Sequence, residues 1–289
     1  MSTSLRSFAC AALISTAGGS AFAADIAYEP TPIEAQPVVE YRGVSAGGWY
    51  LRGDVGHSFS SSRSGSYRFY QGGGVYQEQR YEKYTLRSNT EFSAGVGYRF
   101  NDYLRVDGTV GHWRRDLVGS SSFGGFSYDD SSRAKAWELM ANAYVDIAKW
   151  GRFTPYIGGG IGATHIKYGQ MKNRATCVTP AICGGGGYTG FHEGYGSWRL
   201  TWALMAGASV DITSRTKLDF GYRYTQIKGG DAYGFDAIDR AGGATGVQGR
   251  DHGYHSHAIR VGLRYEFGGA DYAPVYEPIP DYRPVPIYK

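Results

Sequence analysis

No stretch of this 289-residue chain stays apolar long enough to cross a bilayer as a helix, and its mean hydropathy of −0.37 is that of a moderately polar chain. Charge of one sign is also lacking: 30 Lys and Arg against 26 Asp and Glu leave +4, too mild to imply a nucleic-acid partner. Cysteine is scarce, with only Cys10, Cys177 and Cys183, so this is no disulfide-dense scaffold. What the chain has in abundance is glycine (44), tyrosine (25) and aromatic residues overall (15%).

The first residues read as an export signal. Arg6 precedes an apolar stretch from about Phe8 to Ala17, and small residues follow to Ala21-Phe22-Ala23. Cleavage is expected before Ala24, giving a leader over 1–23; Cys10 leaves with it, and loss of Arg6 takes the charge from +4 to +3. The remaining Cys177 and Cys183 bracket a short segment containing Pro180. An oxidising compartment and a tight loop favour a disulfide between them over metal binding by two lone thiols.

From Gly47 onward the sequence alternates with period two in segments near the length of a tilted membrane strand. Phe92, Ala94, Val96, Tyr98 and Phe100 point one way, and Glu91, Ser93, Gly95, Gly97 and Arg99 the other. Eight segments are expected: 48–59, 90–100, 104–114, 135–147, 154–167, 197–212, 216–228 and 256–267, with Gly158-Gly159-Gly160 blurring the fifth. Short links at 101–103, 148–153 and 213–215 alternate with long ones at 60–89, 115–134, 168–196 and 229–255. That is the pattern of an all-β, eight-stranded, antiparallel up-and-down transmembrane β-barrel with short periplasmic turns and long external loops. An even strand count places both termini in the periplasm. The flanks 24–46 and 268–289 are rich in proline and tyrosine and read as extended segments outside the 47–267 barrel.

Alternation alone does not say which face is inward; a soluble barrel would bury the apolar face. The polar face carries a balanced set of charges: Arg52, Asp54, Glu91, Arg99, Arg105, Asp107, Glu138, Asp146, Arg199, Asp211, Lys217, Asp219, Arg223, Arg260, Arg264 and Glu266. A closed interior needs that balance, because an unpaired buried charge is costly. Glycines interleave with the charges, as in a narrow lumen filled by small beside large side chains. Aromatics gather at the strand ends of the apolar face: Trp49, Phe100, Tyr265 and Phe267 at one end, Phe59, Phe92, Trp137, Trp198 and Tyr224 at the other. Rings so placed suit two water–lipid boundaries.

Three stretches carry a resemblance: Gly95-Val96-Gly97-Tyr98-Arg99-Phe100, Thr154-Pro155-Tyr156-Ile157-Gly158-Gly159-Gly160-Ile161-Gly162, and Arg260-Val261-Gly262-Leu263-Arg264-Tyr265-Glu266-Phe267. In order and spacing the chain from about 45 to 267 resembles the opacity-type and OmpA-like β-barrel surface proteins of proteobacteria, particularly those of rhizobia and their relatives. The resemblance implies anchorage in the outer membrane, surface exposure, a contribution to envelope integrity and no shared catalytic residues. It implies that Phe267 is the terminal aromatic read by the barrel-assembly machinery, although this chain departs by continuing to Lys289. Either an internal signal is read, or the final Ile287-Tyr288-Lys289 matters.

Several residues invite chemistry. His57, His112 and His165 fall near the outer ends of their strands, where the plain reading is a polar rim at the headgroup boundary. The sharper reading joins them to Arg63, Arg114 and Lys167 as a lipid A phosphate site in lipopolysaccharide. His252, His255 and His257 read as a solvated loop before a metal site. His255-Ser256 is similar to the Ser and His of lipid A deacylases, but adjacent strand residues face opposite ways. The interior charges read as a salt-bridged plug, with a narrow channel for small solutes as the alternative and a lipid A-modifying enzyme as the remoter one. Tyr-, Ser-, Gly- and Arg-rich loops suit adaptable contacts with a host or surface ligand, and equally suit plain solvated loops. No cofactor and no nucleic acid is expected.

Overall fold

The computed structural model describes residues 47–62 and 64–267. Expectations about the leader 1–23, the flank 24–46, Arg63, the tail 268–289 and its Ile287-Tyr288-Lys289 end lie outside the described residues.

Eight long strands form the wall: β1 Gly48–Ser58, β2 Asn89–Arg99, β3 Leu104–Phe123, β4 Phe126–Asp146, β5 Phe153–Tyr168, β6 Gly196–Asp211, β7 Thr216–Gly234 and β8 Val247–Phe267. Each pairs antiparallel with its successor, and β8 pairs with β1 from Trp49↔Phe267 to Ser58↔Ala258, which closes the ring. The register measures the stagger. From His165 the row of paired residues runs through Trp137, His112, Phe92, Val55, Val261, Phe220 and Ala208, and returns to β5 at Pro155, ten residues away. With about 3.3 Å per residue and 4.8 Å between strands, this tilts the strands by about 40° to the barrel axis.

Burial runs opposite to hydropathy. On β1 the exposed positions are Trp49, Leu51, Gly53, Val55 and His57, while Tyr50, Arg52, Asp54, Gly56 and Ser58 are buried. Leu139, Ile161, Leu204 and Ile259 are likewise exposed, and Arg105 and Arg264 are 0% and 1% exposed. An apolar belt around a charged interior is a fold for lipid, not for water. Trp49, Phe100 and Phe267 end the belt on the short-turn side, and Phe59, Phe92, Trp137 and Trp198 on the long-loop side.

The strands outrun their expected ends. β3 and β4 continue as one ladder to the two-residue turn Gly124-Gly125, so most of 115–134 is wall. Both turn glycines have positive φ (58° and 79°), the backbone that a tight hairpin of this hand demands. β7 and β8 likewise extend into 229–255, leaving only a short connection that includes α2 (Ala237–Ala241). In 60–89, Gly65–Tyr70 and Tyr76–Arg80 form a hairpin whose first arm adds to β8, and Lys83–Leu86 adds to β3. In 168–196, Met171–Cys177 pairs with β4 and with Gly187–His192. Its tip carries α1 (Pro180–Cys183) and the Cys177–Cys183 disulfide, with a Cα–Cα distance of 5.8 Å. The sequence expected loops here because, beyond the lipid, both faces of a strand are polar. Period two survives in burial and disappears from hydropathy.

Candidate functional site

The interior is built of layers. Nearest the short turns, Arg264 bonds Asp219 (3.2 Å), Glu266 (3.2 Å) and Ser209 (2.9 Å), and Arg99 pairs with Glu266 at 3.1 Å. Tyr50 donates to Asp107 at 3.1 Å, and its ring fills the space left by Gly97, its ladder partner. Arg52 donates to Asp54 (2.6 Å), Asp107 (2.9 Å) and the Tyr144 hydroxyl (2.9 Å). Asn142 donates to Asp107 at 2.7 Å. Arg105 pairs with Asp146 at 3.1 Å, and its guanidinium lies 4.2 Å from the Tyr144 ring centre and 4.7 Å from that of Tyr156.

Higher up, Arg223 meets Glu138 at 2.6 Å, and Arg115 meets Glu91 at 3.5 Å and Ser256 at 3.0 Å. Arg260 pairs with Asp54 at 3.6 Å and donates to Ser93. Above these, Arg199 pairs with Asp251 at 2.5 Å, and Tyr168 donates to the same carboxylate at 2.9 Å. The long-loop end is closed by a buried cluster including Tyr67, Tyr81, Tyr84, Trp113, Leu117, Ile166, Met171, Tyr233 and Tyr254. Two cavities lie between layers. One of about 20 Å³ is lined by residues including Glu91, Arg115, Glu138 and Arg223; the other, about 10 Å³, includes Arg52, Asp54, Tyr144 and Tyr156. Each has room for about one water molecule.

Burial also sets the ionisation of groups above the lipid. The Asp130 carboxyl is pushed up to about 6 by burial, against the opposing hydrogen bond from Asn173 at 2.6 Å. Burial raises Asp251 as well, despite Arg199 and Tyr168, and lowers His192.

All the charged residues assigned to the polar face point into this interior, with Glu91, Arg99, Asp211, Lys217 and Arg260 half-buried and the others buried. Arg115 and Asp251 join them, although hydropathy alone places both in loops. The signal for Arg115 was there: it continues the inward alternation of Gly111 and Trp113.

His57, His112 and His165 face outward. His112 packs on Trp137 (ring centres 4.7 Å) and His165 on Trp198 (5.1 Å). Phe92, His112, Trp137, His165 and Trp198 form one cross-strand row, which climbs with the tilt; His57 sits one row higher, opposite Thr90. The structure does not bring His255 and Ser256 together: Ser256 is buried beside Arg115, and His255 is exposed and stacked on Tyr224. His252 contacts Ser64 instead, at 3.0 Å. Among the described residues no cluster of three His, Cys, Asp or Glu side chains is arranged to hold a metal ion.

A closed ring of eight antiparallel strands, apolar outside and ion-paired inside, defines a transmembrane β-barrel of the outer-membrane kind. The chain belongs to the outer membrane protein beta-barrel domain family, which it matches over residues 9–267. An uncharacterized protein of Brucella suis biovar 1 (strain 1330) is 38% identical over 87% of this chain and 94% of its own length. A protein of Rickettsia bellii (strain OSU 85-389), named as a candidate adhesin, is 25% identical over 75% of this chain and 87% of its own. Among solved structures, Neisserial surface protein A aligns with 17% identity and a TM-score of 0.42, over 78% of this chain and 99% of that one.

Proposed function

We propose that the protein is a closed, non-enzymatic barrel that anchors a folded surface structure in the outer membrane, with its long loops outward and both termini in the periplasm. The observation behind this is the interior. Arginines of every layer are held by carboxylates or tyrosines, and the loop end is capped by a packed tyrosine cluster. A lumen of eight strands is only wide enough for side chains to fill, and here long ones fill it.

On this reading the extended β3–β4 and β7–β8 ladders, the first-loop hairpin and the disulfide-tied tip form the presented surface. Val75, Val178, Ile182, Tyr188 and Ile238 are its exposed apolar points. A surface ligand meets these elements, lipopolysaccharide surrounds the barrel, and the barrel-assembly machinery inserts it, with Phe267 closing β8 against Trp49. The name of the Rickettsia relative fits a role in contact. Planar-bilayer recording tests the closed interior. Protease shaving of intact cells at 60–89 tests the orientation. Replacing 60–89 by a short Gly-Ser turn tests the surface: adhesion should fall, and unchanged adhesion would count against display.

A further inference from the structure

The outward face of β3, β4 and β5 has a row of cations in it. Arg114 is paired in register with Lys135, and Lys135 with Lys167. All three are exposed, and among the described residues none takes part in an ion pair with an acid. Like charges directly opposite on neighbouring strands repel, and a sheet keeps them together at a cost unless something anionic lies across them. The next outward row is compensated: Asp116 pairs with Arg133 at 3.0 Å. Farther out, Asp129 stands opposite Arg174. The uncompensated row is therefore one particular level of the wall.

That level is set by its neighbours. Two residues nearer the short turns on each strand are His112, Trp137 and His165, the row of rings that ends the apolar belt. Cations one step beyond a ring of Trp and His stand where acyl chains give way to headgroups. The spacing suits a phosphorylated headgroup. Cross-strand neighbours lie about 5 Å apart, so a phosphate can be shared by two adjacent cations, and the three span about 10 Å.

We propose that Arg114, Lys135 and Lys167 bind the phosphates of lipopolysaccharide headgroups, fixing one glycolipid on the β3–β5 side of the barrel. The site rests on the proposed orientation, with the long loops outward. Arg52, Arg264 and Lys217 also stand in register across β1, β8 and β7, but they point into the lumen, where Asp54, Asp219 and Asp211 answer them.

The test uses the full mature chain, refolded in detergent, with native mass spectrometry against lipid A carrying both phosphates and against the same lipid A dephosphorylated. The unaltered chain should prefer the phosphorylated form by at least about tenfold. Arg114→Gln/Lys135→Gln/Lys167→Gln should lose that preference, while Lys172→Gln/Arg174→Gln, farther out on the wall, should keep it. A triple variant that retains the preference, or an unaltered chain that shows none, overturns the proposal. Should the triple variant not refold, the lipid comparison on the unaltered chain and the single change Lys135→Glu still decide it. Shaving of intact cells reads the orientation separately, so a reversed barrel and a row without lipid preference give different results.

Discussion

Arg223 on β7 meets Glu138 on β4 at 2.6 Å, across the lumen between strands that are not neighbours in the sheet. The contact is a close ion pair, and Nε of Arg223 has no acceptor. Both side chains are under a tenth exposed. Removing one partner of such a pair leaves a buried charge unanswered, which costs about 3–5 kcal/mol, whereas replacing both by apolar groups is often neutral. Arg223→Met should therefore lower the denaturant midpoint sharply, and Arg223→Met/Glu138→Leu should recover most of the loss. A double-variant loss equal to the sum of the losses of Arg223→Met and Glu138→Leu measured singly would show that the pair is not coupled.

Arg105 is held by faces as much as by charge. It stacks on Tyr144 and Tyr156 while Nε donates to Asp146, and its Nη atoms have no hydrogen-bond acceptor. A lysine can keep the ion pair but cannot lie flat between two rings. Arg105→Lys should cost about 1–2 kcal/mol by urea unfolding in detergent. Behaviour like the unaltered chain would reduce Arg105 to its charge.

These partnerships show what the sequence made legible. The balance of charges on one face, with glycines among them, was enough to expect an ion-paired interior. It did not say who pairs with whom, because the stagger that sets Arg223 across from Glu138 is a property of the closed ring and not of any one strand. Arg115 and Asp251 were missed for another reason. They lie where the outer face has left the lipid, and the hydropathy contrast that marks a membrane strand fades there although the strand continues. The cation row was half visible: Arg114 and Lys167 stood out, but Lys135 between them became a partner only once β4 was placed in register.

The ladder at the long-loop end should respond to pH. Asp130 lies beyond the lipid, with its carboxyl pushed up to about 6 by burial and bonded by Asn173 of the neighbouring hairpin. An unfolded aspartate titrates near 3.9. The folded form thus holds a proton that the unfolded form has lost, and stability rises as pH falls through about 6 and levels off below about 4. The full change is about 2–3 kcal/mol. Amide exchange across Met171–Cys177 should slow between pH 7 and pH 5 once corrected for intrinsic rates. Asp130→Asn should remove the dependence; exchange that quickens on acidification would reverse the assigned sign.

The Cys177–Cys183 bridge closes a short loop, with a sequence separation of 6. Short loops limit the entropic gain, about 2 kcal/mol by loop-closure arithmetic, and the bridge sits far from the barrel's ion pairs. Cys177→Ser/Cys183→Ser should speed proteolysis between 178 and 187 and leave the heat-dependent gel shift of the barrel unchanged. Loss of that shift would make the bridge a requirement for folding.

The most direct test of the closed interior is single-channel recording of the refolded mature chain in a planar bilayer, with folding confirmed beforehand by the gel shift. Arginines held in every layer under a packed tyrosine cluster predict a silent membrane across ordinary voltages. Steady, reproducible openings would contradict the account and make the same charges the lining of a channel.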